Sequence, residues 1–358
     1  MRALRLYAGP RALDHIRTHG LQPQHVGAIP AAAGGPKGLV LLAIDRFLFG
    51  DWLTQATQPI DLIGASIGAW RMATACLNDP VAAFEQLEHE YVHQHYELPP
   101  GRKRPSPEQI SATFAQNLRR FYGNRLGEVL NHPRWRLHIV TSRGRHLLAR
   151  EGRLRTPLGY LGAYAANAMS RAALGAWLER VVFSREGTPL PFETRDLRTR
   201  QVALSTENFM DALQASCSIP FVLRSVPSIA GAPPGTYWDG GITDYHLHLH
   251  YRTSVKSPVV LYPHFQRAVV PGWLDKAWKQ RHRSTAALDN MLVLAPDPDW
   301  VGTLPHGKLP DRSDFTRHGA DWRSRAREWT QAVQASQQMA DEFADWLARP
   351  EIGRVEAL

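Results

Sequence analysis

The first hundred residues fall into blocks of apolar and polar positions. HVGAIPAA (residues 25–32) is a short apolar run and predicts a buried strand, GGPKG (34–38) a loop, and LVLLAIDRFLFGDWL (39–53) a helix that is apolar on most faces. PIDLIGA (59–65) predicts a second buried strand, and SIGAWRMATACL (66–77) a helix opening on small residues. Strand, helix, strand, helix in that order implies a parallel sheet with right-handed crossovers. Asp79-Pro80 reads as the cap of a helix over VAAFEQLEHEYVHQHYE, with proline in the tolerated first turn. The breaker-rich ELPPGRKRPSP (97–107) reads as a linker, and Ser106 with Gln109 as a capping box that starts a helix through Tyr122. WRLHIVTS, RVVFS, QVALST, PVVLYP and NMLVLAP are further strand candidates. YLGAYAANAMSRAALGAWL is a small-residue helix, and residues 322–347 read as helical through Trp329, Val333, Met339, Phe343 and Trp346. There is no internal repeat.

Composition places this chain of 358 residues, 44% hydrophobic and 21% charged, in the globular range. Its only cysteines, Cys76 and Cys217, sit in apolar surroundings and outline neither a disulfide framework nor a zinc knuckle. The N-terminal residues lack the unbroken apolar core of a secretory signal, which predicts a cytoplasmic protein. TPLGYLGAYAANAMS, the longest membrane-like uncharged run, ends at Arg171 after 15 residues, short of the roughly 18 to 20 that cross a bilayer. The net charge of +9 is regional: residues 97–155 hold thirteen Lys and Arg against four Asp and Glu. Such a field attracts anionic lipid or an acidic partner, although solvated loops and helix faces also account for it. Phe114, Phe121, Tyr122 and Trp135 in this stretch form no nucleic-acid-binding pattern, so no nucleic acid is expected.

Within DLIGASIGAW (61–70), Ser66 lies between Gly64 and Gly68 at the junction of a buried strand and a helix. That is the setting of a nucleophile elbow, and the helix start favours negative charge nearby; a structural turn of small residues reads the same way. AGGPKG (33–38) lets main-chain N–H groups converge on an anion or oxyanion, and it lacks the spacing of a phosphate loop. In YWDGGITD (237–244), Asp239 precedes two glycines, so its carboxylate could project from a tight turn and accept a serine proton, or serve as an ordinary turn aspartate.

AGGPKG, GASIG and DGG, in this order and with QASCSIPFVLRSVPSIAGAPPGTYWDGG leading into the last, resemble the patatin-like phospholipase family over roughly residues 25–265. The resemblance implies an α/β fold, a three-layer α/β/α sandwich with a mainly parallel central sheet. It implies hydrolysis of lipid acyl esters through an acyl-serine intermediate, without metal or organic cofactor. Ser66 would be the nucleophile, Asp239 its base, and Gly34 and Gly35 the oxyanion donors. Lys37, Gly38, Gly64, Gly68, Gly240 and Gly241 would support them. Two departures stand out: Ala33 replaces the first glycine of the usual triple-glycine loop, and Asp244 and His246 stand where the family commonly has asparagine and proline. Residues 1–300 are expected to form the catalytic domain, with a basic insertion at about 97–155, and residues 301–358 a helical extension packed on it.

Two other readings compete. An α/β-hydrolase triad would draw on His246, His248, His250 or His264, which follow Asp239, but the elements that fold places before its serine would be crowded into 65 residues. A lipid-surface or protein-interaction module could keep the fold without turnover. HLHLH would put His246, His248 and His250 on one face of any strand as a row of metal ligands, unaccompanied by a matching Cys or Glu pattern. The expected function is a peripherally membrane-associating hydrolase of phospholipid or related acyl esters, drawn to anionic bilayers by residues 97–155.

Overall fold

In the computed structural model, which describes residues 1–98, 101–102 and 104–358, the chain forms one eleven-stranded sheet. The strands are β1 (Leu4–Ala8), β2 (Val26–Ala31), β3 (Ile60–Ala65), β4 (Trp135–Gly144), β5 (Leu178–Arg185), β6 (Thr199–Leu204), β7 (Val226–Pro227), β8 (Thr236–Asp239), β9 (Val259–Pro263), β10 (Met291–Pro296) and β11 (Val355–Ala357). The main path runs β11-β1-β10-β9-β2-β3-β4-β5-β6, with β8 pairing β4 and β7. Pairings at the centre, from β10 through β9, β2 and β3 to β4, are parallel. β1 with β10, β5 with β4, and β8 with β4 are antiparallel.

β9 and β10 are buried at every position. Successive strand residues point to opposite faces, so unbroken burial means that helices cover both sides, the three-layer arrangement of an α/β fold. The seven expected strands are present. β1, β7, β8 and β11 were not predicted, because each is short and takes its definition from its neighbour: β1 is held between β10 and β11. Gly34 precedes, and the rest of GGPKG opens, a 3-10 helix, Gly35–Leu41, where a loop was expected. The long small-residue helix is two, Arg155–Met169 and Arg171–Leu174, because the Ser170 hydroxyl breaks the run by accepting the Ala173 N–H at 3.1 Å. The C-terminal helical run likewise divides at Ser336 into Trp322–Ala335 and Gln337–Ala348.

Asp79 caps the Pro80–Val92 helix through the Ala82 N–H at 3.0 Å. Ser106 caps Pro107–Tyr122 at 3.2 Å, but the Gln109 side chain donates to the Glu97 carbonyl instead of completing a box. Pro99, Pro100 and Lys103 of the expected linker lie outside the described residues. Residues 135–144 of the positive region form β4, near the middle of the sheet. Trp329, Val333, Met339, Phe343 and Trp346 are buried in the same apolar cluster as the central strands. No described helix is long and apolar enough to cross a membrane.

Two helices that follow the central strands are tied by a buried ion pair. Arg71, on Ile67–Ala75, donates Nε and Nη2 to Asp45 of Leu42–Gly50 at 2.6 and 2.8 Å, and both side chains are almost inaccessible. Removing one member leaves the other charge buried and uncompensated, which costs about 3–5 kcal/mol, whereas replacing both with apolar groups of similar volume costs far less. Asp45→Ala is therefore expected to lower the urea-unfolding free energy by about that amount, and Asp45→Leu with Arg71→Met to recover most of it. A loss below about 1 kcal/mol in the single variant would remove this pair from the framework.

Candidate active site

Ser66 sits at the end of β3, where the chain reverses into the Ile67–Ala75 helix with φ 57° and ψ −128°. Positive φ is unusual for serine and is retained only where surroundings impose it. Here the surroundings are backbone. A Cβ on Gly64 would lie 2.3 Å from Ala69 Cα, and one on Gly68 would lie 1.9 Å from the Ala31 carbonyl oxygen. The Ser66 N–H donates to Ser216 Oγ at 3.0 Å, and Ser216 Oγ donates onward to the Val140 carbonyl at 2.7 Å. The turn is thereby tied to β4 and to the Phe209–Ser216 helix.

The Ser66 hydroxyl donates to Asp239 Oδ2 at 2.7 Å, and both side chains are buried. β8 delivers the carboxylate by pairing antiparallel with β4, Thr141 opposite Asp239. Asp239 Oδ1 accepts the Gly241 N–H at 2.7 Å, and its main chain is fixed by Ser218 O at 2.9 Å and Ser142 Oγ at 2.9 Å. Gly240 admits this turn because a Cβ there would lie 2.1 Å from the Val140 carbonyl oxygen. Gly241 faces Ala33, whose methyl is 2.5 Å from where a Cβ would stand. The departure at Ala33 thus fills the space left by Gly241.

The Ala33 N–H is committed to the Tyr245 carbonyl at 2.9 Å, whereas the Gly34 and Gly35 N–H groups have no hydrogen-bond acceptor among the described residues. Gly35 has φ +57°, and a Cβ on Gly34 would meet the Phe265 ring at 2.5 Å, so both positions require glycine. Lys37 Nζ lies 5.2 Å from the Phe265 ring centroid, and burial lowers its pKa. Gly38 lets Ile67 and Arg71 approach.

Ser66, Gly35 and Pro36 border a cavity of about 830 Å³. Its walls are largely apolar, with Trp70, Ile110, Phe114, Phe221, Val222 and Phe315 among them. That size and lining suit an extended apolar ligand. Arg312 also lines it, beside Gly35, and has no ion-pair partner among the described residues.

Burial raises the Asp239 pKa to about 6, against the opposing pull of Arg312, the Ser66 hydroxyl, the Gly241 N–H and Lys276. Burial likewise pushes Lys276 down to about 8, helped by Arg312 and Lys37. A neutral serine donor, a carboxylate that titrates near neutrality and two uncommitted amides form a set able to exchange a proton and receive an oxyanion.

The late histidines are placed elsewhere. His246 lies among Tyr245, His264 and Phe265, and its Nδ1 receives the Val270 N–H at 3.0 Å. His248 bridges the Val269 carbonyl and Thr285 at 2.8 Å each. Burial and the neighbouring His264 hold His246 well below the ordinary imidazole range, and burial holds His264 near 3. Residues 246–250 are irregular, with Leu247 at φ 50°, so the alternation assumed for a row of ligands is absent. Asp244 is not among the residues lining the cavity and is instead held by Arg180 at 2.6 and 2.7 Å and Arg171 at 3.1 Å.

Sequence reasoning missed Ser142, Ser216, Ser218, Lys276 and Arg312. Ser216 and Ser218 lie in the segment quoted for its resemblance, but nothing in their spacing signals which carbonyl or amide each meets. Arg312 is 73 residues beyond Asp239 and carries no local motif.

The raised Asp239 pKa has a consequence for stability. The protonated form is favoured in the folded state, so its contribution is complete below about pH 4 and is lost as pH rises through about 6. Asp239→Asn, which keeps one acceptor oxygen and removes the buried charge, is expected to be more stable than the native chain at pH 8 by roughly 1–3 kcal/mol, the gain shrinking toward pH 4. Urea unfolding across that range is the measurement, and a pH-independent difference would contradict the assignment.

Residues 33–246 match the family described as Patatin, patatin-like phospholipase. No curated protein matches the chain. Among solved structures, VipD from Legionella pneumophila is similar at 13% identity with TM-score 0.39, over 95% of this chain and 70% of that one. Human GIVD cytosolic phospholipase A2 is similar at 10% identity with TM-score 0.44, over 96% of this chain and 63% of that one, so this chain spans less than two thirds of its length. With more than half of its residues, the serine turn and the Asp-Gly-Gly approach included, carried by the one family match, the chain belongs to the patatin-like phospholipase family.

Proposed function

We propose that the protein is a serine acyl hydrolase acting on phospholipid or a related acyl ester. The observation that carries this reading is the 2.7 Å hydrogen bond from Ser66 Oγ to Asp239 Oδ2 at the wall of a large apolar cavity. Family membership supports lipid hydrolysis as the reaction class.

In this reading Asp239 takes the Ser66 proton as Oγ attacks the ester carbonyl. The carbonyl oxygen becomes an oxyanion facing the Gly34 and Gly35 amides, which have no other acceptor among the described residues. As the intermediate collapses, the ester C–O bond breaks and the proton on Asp239 passes to the departing alkoxide, leaving an acyl-serine. Water then attacks the acyl carbon with Asp239 as base, and the proton returns to Ser66 as the fatty acid leaves. Every proton moves between Ser66, Asp239, substrate and water, so these steps use no metal or organic cofactor. Residues 1–300 would carry this machinery, and the 301–358 extension would add Arg312 and Phe315 to the cavity wall.

Fluorophosphonate labelling and hydrolysis of a long-chain acyl ester test the proposal together. Ser66→Ala and Asp239→Asn should each lose labelling and reduce kcat/KM by roughly 10³-fold or more. Native kcat/KM should rise with pH through an ionisation near 6, as Asp239 loses its proton, and then level off. Labelling that survives Ser66→Ala, or full turnover without Asp239, would overturn the dyad. The positive field of residues 97–155 would draw the protein to anionic surfaces, an attraction that salt screens. Binding to phosphatidylglycerol-containing vesicles should therefore weaken as salt is raised; indifference to salt would remove this role.

A further inference from the structure

The Arg155–Met169 helix has an outward face that the proposed chemistry does not use. The chain carries no charge between Arg155 and Arg171, yet this helix lies at the surface. Leu154 is 74% exposed, Leu158 56%, Leu161 65% and Met169 83%, with Tyr164 also exposed. Steps of four, three and three residues place Leu154, Leu158, Leu161 and Tyr164 along one side of the helix. Contiguous apolar surface of this kind marks a contact site.

The opposite side of the helix leads to the candidate active site. Tyr160 is buried, its ring 5.8 Å from Trp238, the residue before Asp239, and 5.9 Å from Phe221. Phe221 and Val222 are exposed and line the Ser66 cavity. The exposed apolar face and the cavity rim are therefore joined through Tyr160 and Phe221.

Charge identifies the occupant. Arg150, Arg153 and Arg155 are exposed at the start of the helix, and none has an ion-pair partner among the described residues. A helix with an apolar face and arginines at its edge is built to lie in the interface of an anionic membrane, with arginines at the headgroups and leucines at the acyl boundary. A second copy of this chain paired through the same face fits less well, because residues 152–171 hold no Asp or Glu to meet these arginines.

We infer that Leu154, the Arg155–Met169 helix and the Phe221–Val222 rim form a docking surface for an anionic lipid bilayer, opening the cavity directly onto the membrane. The docking stands on the exposed face and its charge. Only the consequence that an acyl chain enters from the bilayer without crossing water rests on the hydrolase reading.

Flotation of the full chain with phosphatidylcholine–phosphatidylglycerol vesicles, alongside hydrolysis of a soluble short-chain nitrophenyl ester, tests the inference. Leu158→Asp with Leu161→Asp should weaken vesicle partitioning about tenfold or more and leave the soluble-ester rate within about twofold of native. Leu158→Gln with Leu161→Gln, gentler to the helix, should weaken it in the same direction with an unchanged circular dichroism melt. Arg153→Glu with Arg155→Glu should weaken binding to the anionic vesicles and leave the soluble-ester rate unchanged. Native protein that does not float, leucine variants that float as the native chain does, or a concentration-dependent dimer dissolved by the leucine changes would each overturn it. If native protein floats but cleaves neither ester nor vesicle lipid, the hydrolase reading fails and the docking surface stands.

Discussion

Close backbone contact at the end of β2 and at Val140 within β4 is the constraint on which the site depends. Gly68 lies against the Ala31 carbonyl and Gly240 against the Val140 carbonyl, each too close to admit a Cβ. These contacts let the turn after β3, the loop after β2 and the turn after β8 meet. The hydrogen bond between Ser66 and Asp239, 173 residues apart, is a result of that approach. Ser66 keeps its positive φ because the packed strands and the Ser216 hydroxyl hold it there.

The same crowding sets the electrostatics. Asp239 has lost most of its water, which favours the neutral acid, while Arg312, Lys276 and two hydrogen-bond donors favour the charge. The balance leaves the carboxyl near neutrality, where it can both accept and return a proton. Elsewhere the protein settles buried charge by direct pairing, as in Arg71 with Asp45 and Arg180 with Asp244. At Asp239 the cations act from a distance. The carboxylate stays available to Ser66 at a cost in folding stability, a trade common where activity needs a strained or desolvated group.

The Arg155–Met169 helix connects the site to the molecular surface. Tyr160 reaches inward to Trp238 and the exposed leucines face outward, so one element both supports the strand bearing Asp239 and carries the proposed bilayer contact. In that proposal an uncharged run too short to span a membrane would lie on one.

Local chemistry made much of this legible from sequence. Apolar runs predicted β2, β3, β9 and β10, which are almost wholly buried on both faces, since such strands need no polar alternation. The motifs picked out Ser66, Asp239 and the two glycines whose amides meet no acceptor among the described residues, because sharp turns and close approaches restrict which residues can stand there. What has no local signature was decided only by tertiary structure: the short strands β1, β7, β8 and β11, the serine hydroxyls that fix the Ser66 turn and the Asp239 main chain, Arg312 reaching the cavity from the C-terminal region, and the burial that tunes Asp239. These follow from which distant segments share a surface, and partners far apart in a chain leave no periodicity or spacing within it.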